Sequence, residues 1–175
     1  LKAAKTKWNF IDFKPGLVGG HCISVDPYYL AYIAEKNNKN AVMIKTARKT
    51  NDYIPNYIVK NLEKNLKKFK IAKYKINILI MGATFKENCS DIRDSKSIEI
   101  VKLLNKQKYN TEVYDPYLKK NNSSKNINII IKPKVNFYHG ILIAVKHKYF
   151  LKIGLKKIKK YGTNDSFLYD IKSLF

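Results

Sequence analysis

Arginine is almost missing from this chain: of 35 basic residues, only Arg48 and Arg93 are not lysine. A formal charge of +22 against 13 acidic residues invites a polyanionic partner. Base and phosphate readout, however, leans on arginine's bidentate fork, and here lysines are spread through every segment among many asparagines. The composition therefore argues against a nucleic-acid partner and reads as lysine filling solvated faces. Cysteine is equally scarce. Cys22 and Cys89 stand far apart in the sequence, which excludes a disulfide framework and makes a reducing cytoplasm the expected location. No run approaches the roughly 20 apolar residues of a membrane span, so no membrane partner is expected, and the N-terminus has no signal-peptide pattern. There is no internal repeat, no G-x-G-x-x-G phosphate fingerprint and no expected metal site. The chain opens on Leu1 rather than methionine, as if in the middle of something.

What is present suffices for a core, with 45% hydrophobic and 13% aromatic residues over 175 positions. That length suits one domain, or one domain with a helical appendage. The densest signal is Phe13-Lys14-Pro15-Gly16-Leu17-Val18-Gly19-Gly20-His21-Cys22, continuing to Asp26-Pro27-Tyr28-Tyr29-Leu30. One proline and three glycines within six positions force a loop whose backbone can approach a ligand closely. Asp26-Pro27 reads as a helix start, with aspartate as N-cap and proline at the first helical position. A cysteine beside a helix N-terminus and a histidine sits where a thiolate is favoured, which suits a nucleophile. A small buried cysteine in a structural glycine turn fits the same spacing.

Ala3, Ala4, Trp8 and Phe10 suggest the tail of a helix entering that loop. Helical spacing follows at Tyr28, Leu30, Ala31, Ile33 and Ala34, breaks at Asn37-Asn38-Lys39-Asn40, and resumes from Ala41 to Leu62. This is either two helices or one long helix kinked near Pro55. Such apolar faces with little sheet nearby need a partner, and a second subunit would supply one. Lys-rich turns at 67–75 mark a boundary, after which the period changes. Ile76–Gly82 is a buried strand ending in a glycine turn. Asp94-Ser95 caps a helix with Ile98, Val101, Leu103 and Leu104 on its apolar face. Strands follow at Thr111–Pro116, more weakly at Ile127–Ile131, then at Gly140–Val145 and Phe167–Ile171, with an amphipathic basic helix over Leu151–Lys160. A polar loop covers Lys119–Lys125. The alternation predicts an α/β fold: a helical segment followed by a doubly wound, mainly parallel sheet of about five strands. Ligands of such sheets sit at the carboxyl ends of the strands, which points to the stretch Gly82–Arg93. Lys86 and Arg93 there suit an anionic phosphate ligand; a solvated basic loop fits equally.

Taken together, Lys14–Ile23 with Val25–Leu30, Ala47-Arg48 with Asn51-Asp52 and Pro55, and Phe85-Lys86 with Asn88, Asp91, Arg93 and Ser95 resemble the UDP-glucose/GDP-mannose dehydrogenase superfamily. These are NAD-dependent nucleotide-sugar 6-dehydrogenases. Thr6–Phe10 is similar to the branch acting on UDP-N-acetylhexosamines in bacterial surface polysaccharide synthesis. The motifs agree in order over nearly the whole chain. The family has an N-terminal Rossmann domain for NAD, a central dimerising helix and a C-terminal Rossmann-like domain for the UDP-sugar. The resemblance implies that residues 1–73 are the central segment with the catalytic loop and 74–175 the UDP-sugar-binding domain, with the NAD domain outside this chain.

The resemblance further implies a mechanism. The sugar C6 alcohol is oxidised to an aldehyde, Cys22 adds to form a thiohemiacetal, a second oxidation gives a thioester, and water releases the uronic acid. Asp26 would orient or activate that water. Gly16, Gly19 and Gly20 would hold the sugar against the backbone, Lys86 would meet the substrate near the reacting sugar, and Arg93 would reach the phosphates of NAD. A homodimer through the central helix is implied, and Arg48 keeps that scaffold. The family's catalytic lysine and its companion asparagine would lie upstream of Leu1, so the isolated chain would be inactive. Cys89 has no catalytic counterpart, His21 shapes the loop or stabilises the thiolate, and His147 is structural. The alternative is a non-catalytic or degenerate nucleotide-sugar-binding module that retains the loop but not the turnover.

Overall fold

The computed structural model describes residues 1–11, 16–118 and 127–175. The Lys119–Lys125 loop, and Lys14 and Pro15 of the glycine motif, lie outside the described residues. Two long helices come first, α1 over His21–Lys36 and α2 over Val42–Leu66, separated at Asn37–Ala41. The break falls on the asparagine-rich stretch, whose polar side chains compete for backbone groups. Pro55 lies inside α2 without ending it, so the chain forms two helices divided before Val42 rather than one kinked at the proline. The helix tail expected around Ala3–Trp8 is a single 3₁₀ turn at Ala4–Thr6.

After 3₁₀ turns at Lys67–Phe69 and Lys73–Lys75 the period-2 pattern takes over. β1 spans Asn77–Met81, β2 Asn110–Tyr114, β3 Ile129–Ile130, β4 Tyr138–Ile143 and β5 Gly162–Asp170. They form one sheet in the order β3-β2-β1-β4-β5, and every neighbouring pair is parallel. Helix α3, Lys96–Lys106, links β1 to β2, and α4, Lys148–Ile153, with α5, Leu155–Lys159, links β4 to β5. The single basic helix expected over Leu151–Lys160 is therefore two short ones. Gly154, at φ +77°, interrupts the helical path between them.

The core has two halves, one on each face of the sheet. Ile78, Ile80, Leu142 and Ala144 pack with Ile58, Val59, Leu62 and Leu66 of α2 and Ile98, Val101 and Leu104 of α3. Leu79, Met81, Ile141 and Ile143 point the other way and pack with Phe150 and Ile158 of α4 and α5. This alternation is what the pleat dictates when both faces are covered. Each fully buried aliphatic side chain contributes about 1.5–3 kcal/mol. Helix α2 thus belongs to two environments. Its second half is sealed into the sheet core, whereas Val42 and Met43 in its first turn are 56% and 86% exposed.

The structure corrects one local reading. Helix α1 begins at His21, six residues before Pro27, with Gly20 as its N-cap at φ +104°. Asp26 is not a cap, and Pro27 sits inside the helix. The glycine loop turns directly into helix: the first intrahelical bond runs from the Ser24 amide to the Gly20 carbonyl (3.1 Å). A capping preference at Asp26 is worth about 1 kcal/mol and yields to this docked glycine turn.

Candidate functional site

The strand order reverses between β1 and β4, and the loops leaving their carboxyl ends splay apart there. Between them lies a cleft of about 460 Å³. Its walls include Thr84 and Lys86 after β1, Ser95 and Ser97 at the start of α3, Lys146 after β4 and Lys172 after β5, with Leu17 and Gly19 of the glycine loop closing one side.

Helix α3 presents its N-terminus to this cleft. The first amides of any helix lack intrahelical acceptors, and here the capping residue leaves them open. Ser95 takes extended geometry but its side chain makes no cap bond; its Oγ is buried without a partner among the described residues. Lys96 also lines the cleft, but its amine is engaged by Asp52 Oδ1 (2.9 Å) on α2 and Glu99 Oε2 (3.0 Å). Lys172 faces the cleft half-buried and donates to the Leu17 carbonyl (3.3 Å). Burial holds its amine below the ordinary lysine value, opposed by the charge of Glu87. A helix N-terminus, an unpaired hydroxyl and convergent lysines suit a phosphate-bearing anion.

The cleft floor is rigid because of a buried polar network. Asp115 Oδ2 accepts the amides of Ala83 (2.8 Å) and Thr84 (3.3 Å), and Oδ1 accepts the Tyr117 amide (2.9 Å). His147, fully buried, lies with Nε2 3.0 Å from Asp115 Oδ2, and its Nδ1 accepts the Asn88 amide (2.9 Å). With Nδ1 an acceptor, Nε2 carries the proton and donates to the carboxylate. Burial alone would raise the Asp115 carboxyl, but the His147 bond and the backbone amides bring it below its ordinary value. Asn88 Oδ1 accepts from Tyr117 Oη (3.1 Å) and the Lys148 amide (3.0 Å). The three loops that leave β1, β2 and β4 are thereby locked together, which accords with the structural role expected of His147.

The glycine loop docks on the same edge. A Cβ on Gly19 would lie 2.4 Å from the Asp94 carbonyl oxygen, and one on Gly20 would meet the Phe85 ring at 2.9 Å. The Gly20 amide donates to that Asp94 carbonyl (3.3 Å). Only glycines let the two loops approach this closely. Cys22 therefore falls in the first turn of α1, exposed. Asp26 lies one turn further on, at i+4 on the same face of the helix and exposed. His21 Nδ1 is 3.7 Å from Asp94 Oδ2.

Lys86 lines the cleft, its amine 5.2 Å from the Phe85 ring centre. Gly16 is partly buried beside the Lys172 amine. Arg93 is set apart from the cleft lining and exposed, gripped by Asp91 through Nε (3.1 and 3.0 Å) and Nη2 (2.7 Å). That grip pulls the Asp91 carboxyl down to about 2. Cys89 donates to the Lys86 carbonyl (3.3 Å). The structure thus gathers Gly19, Gly20, Lys86 and the first turn bearing Cys22 around one edge, with Arg93 on its rim. Sequence patterning missed Lys172, Ser95 and Asp115 as parts of the site. Asp115 ends a predicted strand and Lys172 follows another, positions at which side chains reach the switch-point crevice.

The β1 turn lacks the glycines of a dinucleotide fingerprint. Gly82 is the only glycine of the β1 turn, and its missing Cβ is taken up by Val145, whose Cβ would lie 2.5 Å away. A pyrophosphate therefore has no glycine cradle there.

Comparison with known proteins places this architecture. The sequence profile of the UDP-glucose/GDP-mannose dehydrogenase family, central domain, matches residues 1–53, and that of the same family's UDP binding domain matches residues 79–175. The chain is 41% identical over 176 residues to a UDP-N-acetyl-D-glucosamine 6-dehydrogenase of Pseudomonas aeruginosa, covering 99% of this chain and 42% of that protein. It is 39% identical to a protein of the same name from Salmonella typhi, covering 98% and 41%. The solved structure of a UDP-D-ManNAc dehydrogenase from Pyrococcus horikoshii superposes with a TM-score of 0.79 at 25% identity, over 99% of this chain and 40% of that one. The chain spans about two fifths of the length of these relatives.

Proposed function

Because this chain belongs to the UDP-glucose/GDP-mannose dehydrogenase family, we propose that it is the substrate-binding and dimerisation part of an NAD-dependent UDP-N-acetylhexosamine 6-dehydrogenase. In that reading residues 1–73 form the central segment and 74–175 the UDP-sugar-binding domain. The protein acts in the cytoplasm, making a uronic acid for surface polysaccharide synthesis. The observation that carries the reading is the switch-point cleft. There the open N-terminus of α3, the unpartnered Ser95 hydroxyl and the Lys86 and Lys172 amines surround one volume.

A UDP-sugar lies with its diphosphate against α3 and its sugar against the glycine loop. Gly16, Gly19 and Gly20 leave backbone open to the sugar at their own positions, and Lys86 meets the sugar end. Cys22, exposed in the first turn of α1, adds to the C6 aldehyde through its sulfur. The sulfur holds the carbon through the second oxidation and leaves as thiolate when water attacks the thioester. Asp26, on the same helix face, takes the proton of that water. NAD, when bound, would accept the hydrides of both oxidations, and Arg93 would reach its phosphates. The exposed apolar faces of α1 and of the first half of α2 are covered by a second copy of the chain.

Calorimetric titration with UDP-N-acetylglucosamine tests the cleft. Binding that weakens about tenfold or more in Lys86→Ala is expected, as for the loss of one charge-assisted contact. A folded chain that binds no UDP-sugar overturns the assignment and leaves a degenerate module.

A further inference from the structure

Three separate parts of the fold hold the glycine loop at nearly consecutive residues. Lys172, after β5, donates to the Leu17 carbonyl (3.3 Å). Asn51, on α2, donates through Nδ2 to the Val18 carbonyl (3.0 Å). The Gly20 amide donates to the Asp94 carbonyl in the β1–α3 loop (3.3 Å). Lys172 lines the cleft and the Asp94 contact is backbone only. Asn51 differs from both: it lies outside the cleft lining, and its side chain joins α2 to the loop that becomes α1.

The adjoining residues of α2 build the same junction. Asp52 accepts from Tyr28 Oη of α1 (3.2 Å), from Arg48 Nη2 (3.3 Å) and from the Lys96 amine of α3 (2.9 Å). Arg48 is itself buried. One turn of α2 therefore grips α1, α3 and the glycine loop together. Asp52 sets how the helices sit. Asn51 acts nearer the chemistry, because only three residues, Gly19, Gly20 and His21, separate Val18 from Cys22. Glycine backbone has the widest conformational freedom; the bond to the Val18 carbonyl holds the near side of the glycine pair and the Gly20 bond to Asp94 the far side, and together they direct the first turn of α1.

We propose that Asn51 is a positioning residue for Cys22, fixing the Val18 carbonyl and so the first turn of α1 that carries the thiol to the edge of the cleft. The proposal rests on the reading of Cys22 as the nucleophile. A shorter or donor-free side chain at position 51 releases the loop while leaving the cleft cations in place.

Two readouts on the 175-residue chain test it. The first is the rate of Cys22 alkylation by iodoacetamide across pH 5–9, with Cys22→Ser subtracting the signal of Cys89. Asn51→Ala is expected to change the alkylation rate about three- to tenfold across the range, because the first turn of α1 no longer holds the thiol in one direction. Asn51→Gln, which keeps the amide donor, restores part of the rate. The second is hydrogen exchange at residues 19–22, expected to accelerate in Asn51→Ala and to recover in Asn51→Gln. An unchanged alkylation profile in folded Asn51→Ala, with a reactive wild-type Cys22, overturns the proposal. If wild-type Cys22 reacts no faster than a free peptide thiol, the nucleophile reading falls instead, and exchange alone decides the anchoring. If Asn51→Ala does not fold, wild-type exchange and reactivity in Asn51→Asp, of the same shape but without the donor, overturn it.

Discussion

Asp115 shows how a single residue can govern both the shape of the site and its response to acid. Burial penalises its charge, yet His147 and the Ala83 and Tyr117 amides more than compensate, and folding lowers its pKa. A carboxylate lowered by folding contributes its stability above the unfolded value of about 3.9 and loses it as pH falls below that value. Asp52 has the same sign: burial raises it, and the Lys96 amine outweighs that effect. Urea unfolding is therefore expected to show constant stability from pH 7 to about 5 and a decline below about 4. Asp115→Asn should cost about 2 kcal/mol at pH 7 by leaving buried amides poorly paired, with a flatter decline in acid. A decline as steep as that of the wild type would mean that other carboxylates carry the acid response. None of this network was legible beforehand except His147 after its strand. Apart from the Asp115–Tyr117 turn, its partners lie 29 to 60 residues apart in the chain, and only the parallel register brings them together.

Among the elements, β1, β4 and α3 follow from pattern alone, because a buried parallel strand must be continuously apolar and α3 shows its stripe at helical spacing. β5 begins at Gly162, five residues before the expected Phe167, because its polar first half joins the sheet edge through the pairing of Gly162 with Tyr138. The start of α1 did not follow. Asp26-Pro27 carries a strong capping signature, but the contacts that start the helix, Gly20 against Asp94 and Phe85, are tertiary. Helix α2 carries the sharpest prediction at this scale. Val42, Met43, Ala47 and Ile54 line an open apolar groove on it, next to the exposed Tyr29, Leu30, Tyr32 and Ile33 of α1. If a second copy seals this face by a two-fold, self-complementary contact, analytical ultracentrifugation will find a dimer, and Met43→Glu will give a folded monomer by placing an unpaired charge at the seam. A wild-type monomer at micromolar concentration would remove the dimer reading.

For the molecule as a whole, charge is the dominant quantity. A net +22 on 175 residues repels itself, and the ion pairs present, such as Lys96 with Asp52 and Arg93 with Asp91, are too few to offset it. Raising ionic strength from 10 to 150 mM shortens the Debye length from about 30 to about 8 Å. Differential scanning calorimetry is therefore expected to show a higher midpoint in the higher salt. At about 2–4 °C per kcal/mol for a chain of this size, a rise of several degrees follows. A fall would mean that favourable pairs outweigh the repulsion. Among the described residues no helix is long and apolar enough to cross a membrane.

The sequence by itself determined the class of fold, a run of about five strands after the helices, and the loops where chemistry is to be sought. Each of these depends on local spacing: period 2, period 3.6, or glycine and proline at short range. It also carried the family, through motifs spaced along the chain. Tertiary structure alone decided where α1 begins and placed Cys22 in its first turn rather than in a loop before it. It also decided that Lys172 and the Ser95 hydroxyl share a cleft with Lys86, and that Asn51 holds the Val18 carbonyl. Those facts depend on groups 33 to 155 residues apart. Their meeting is set by how the sheet and its helices pack, which local spacing does not encode.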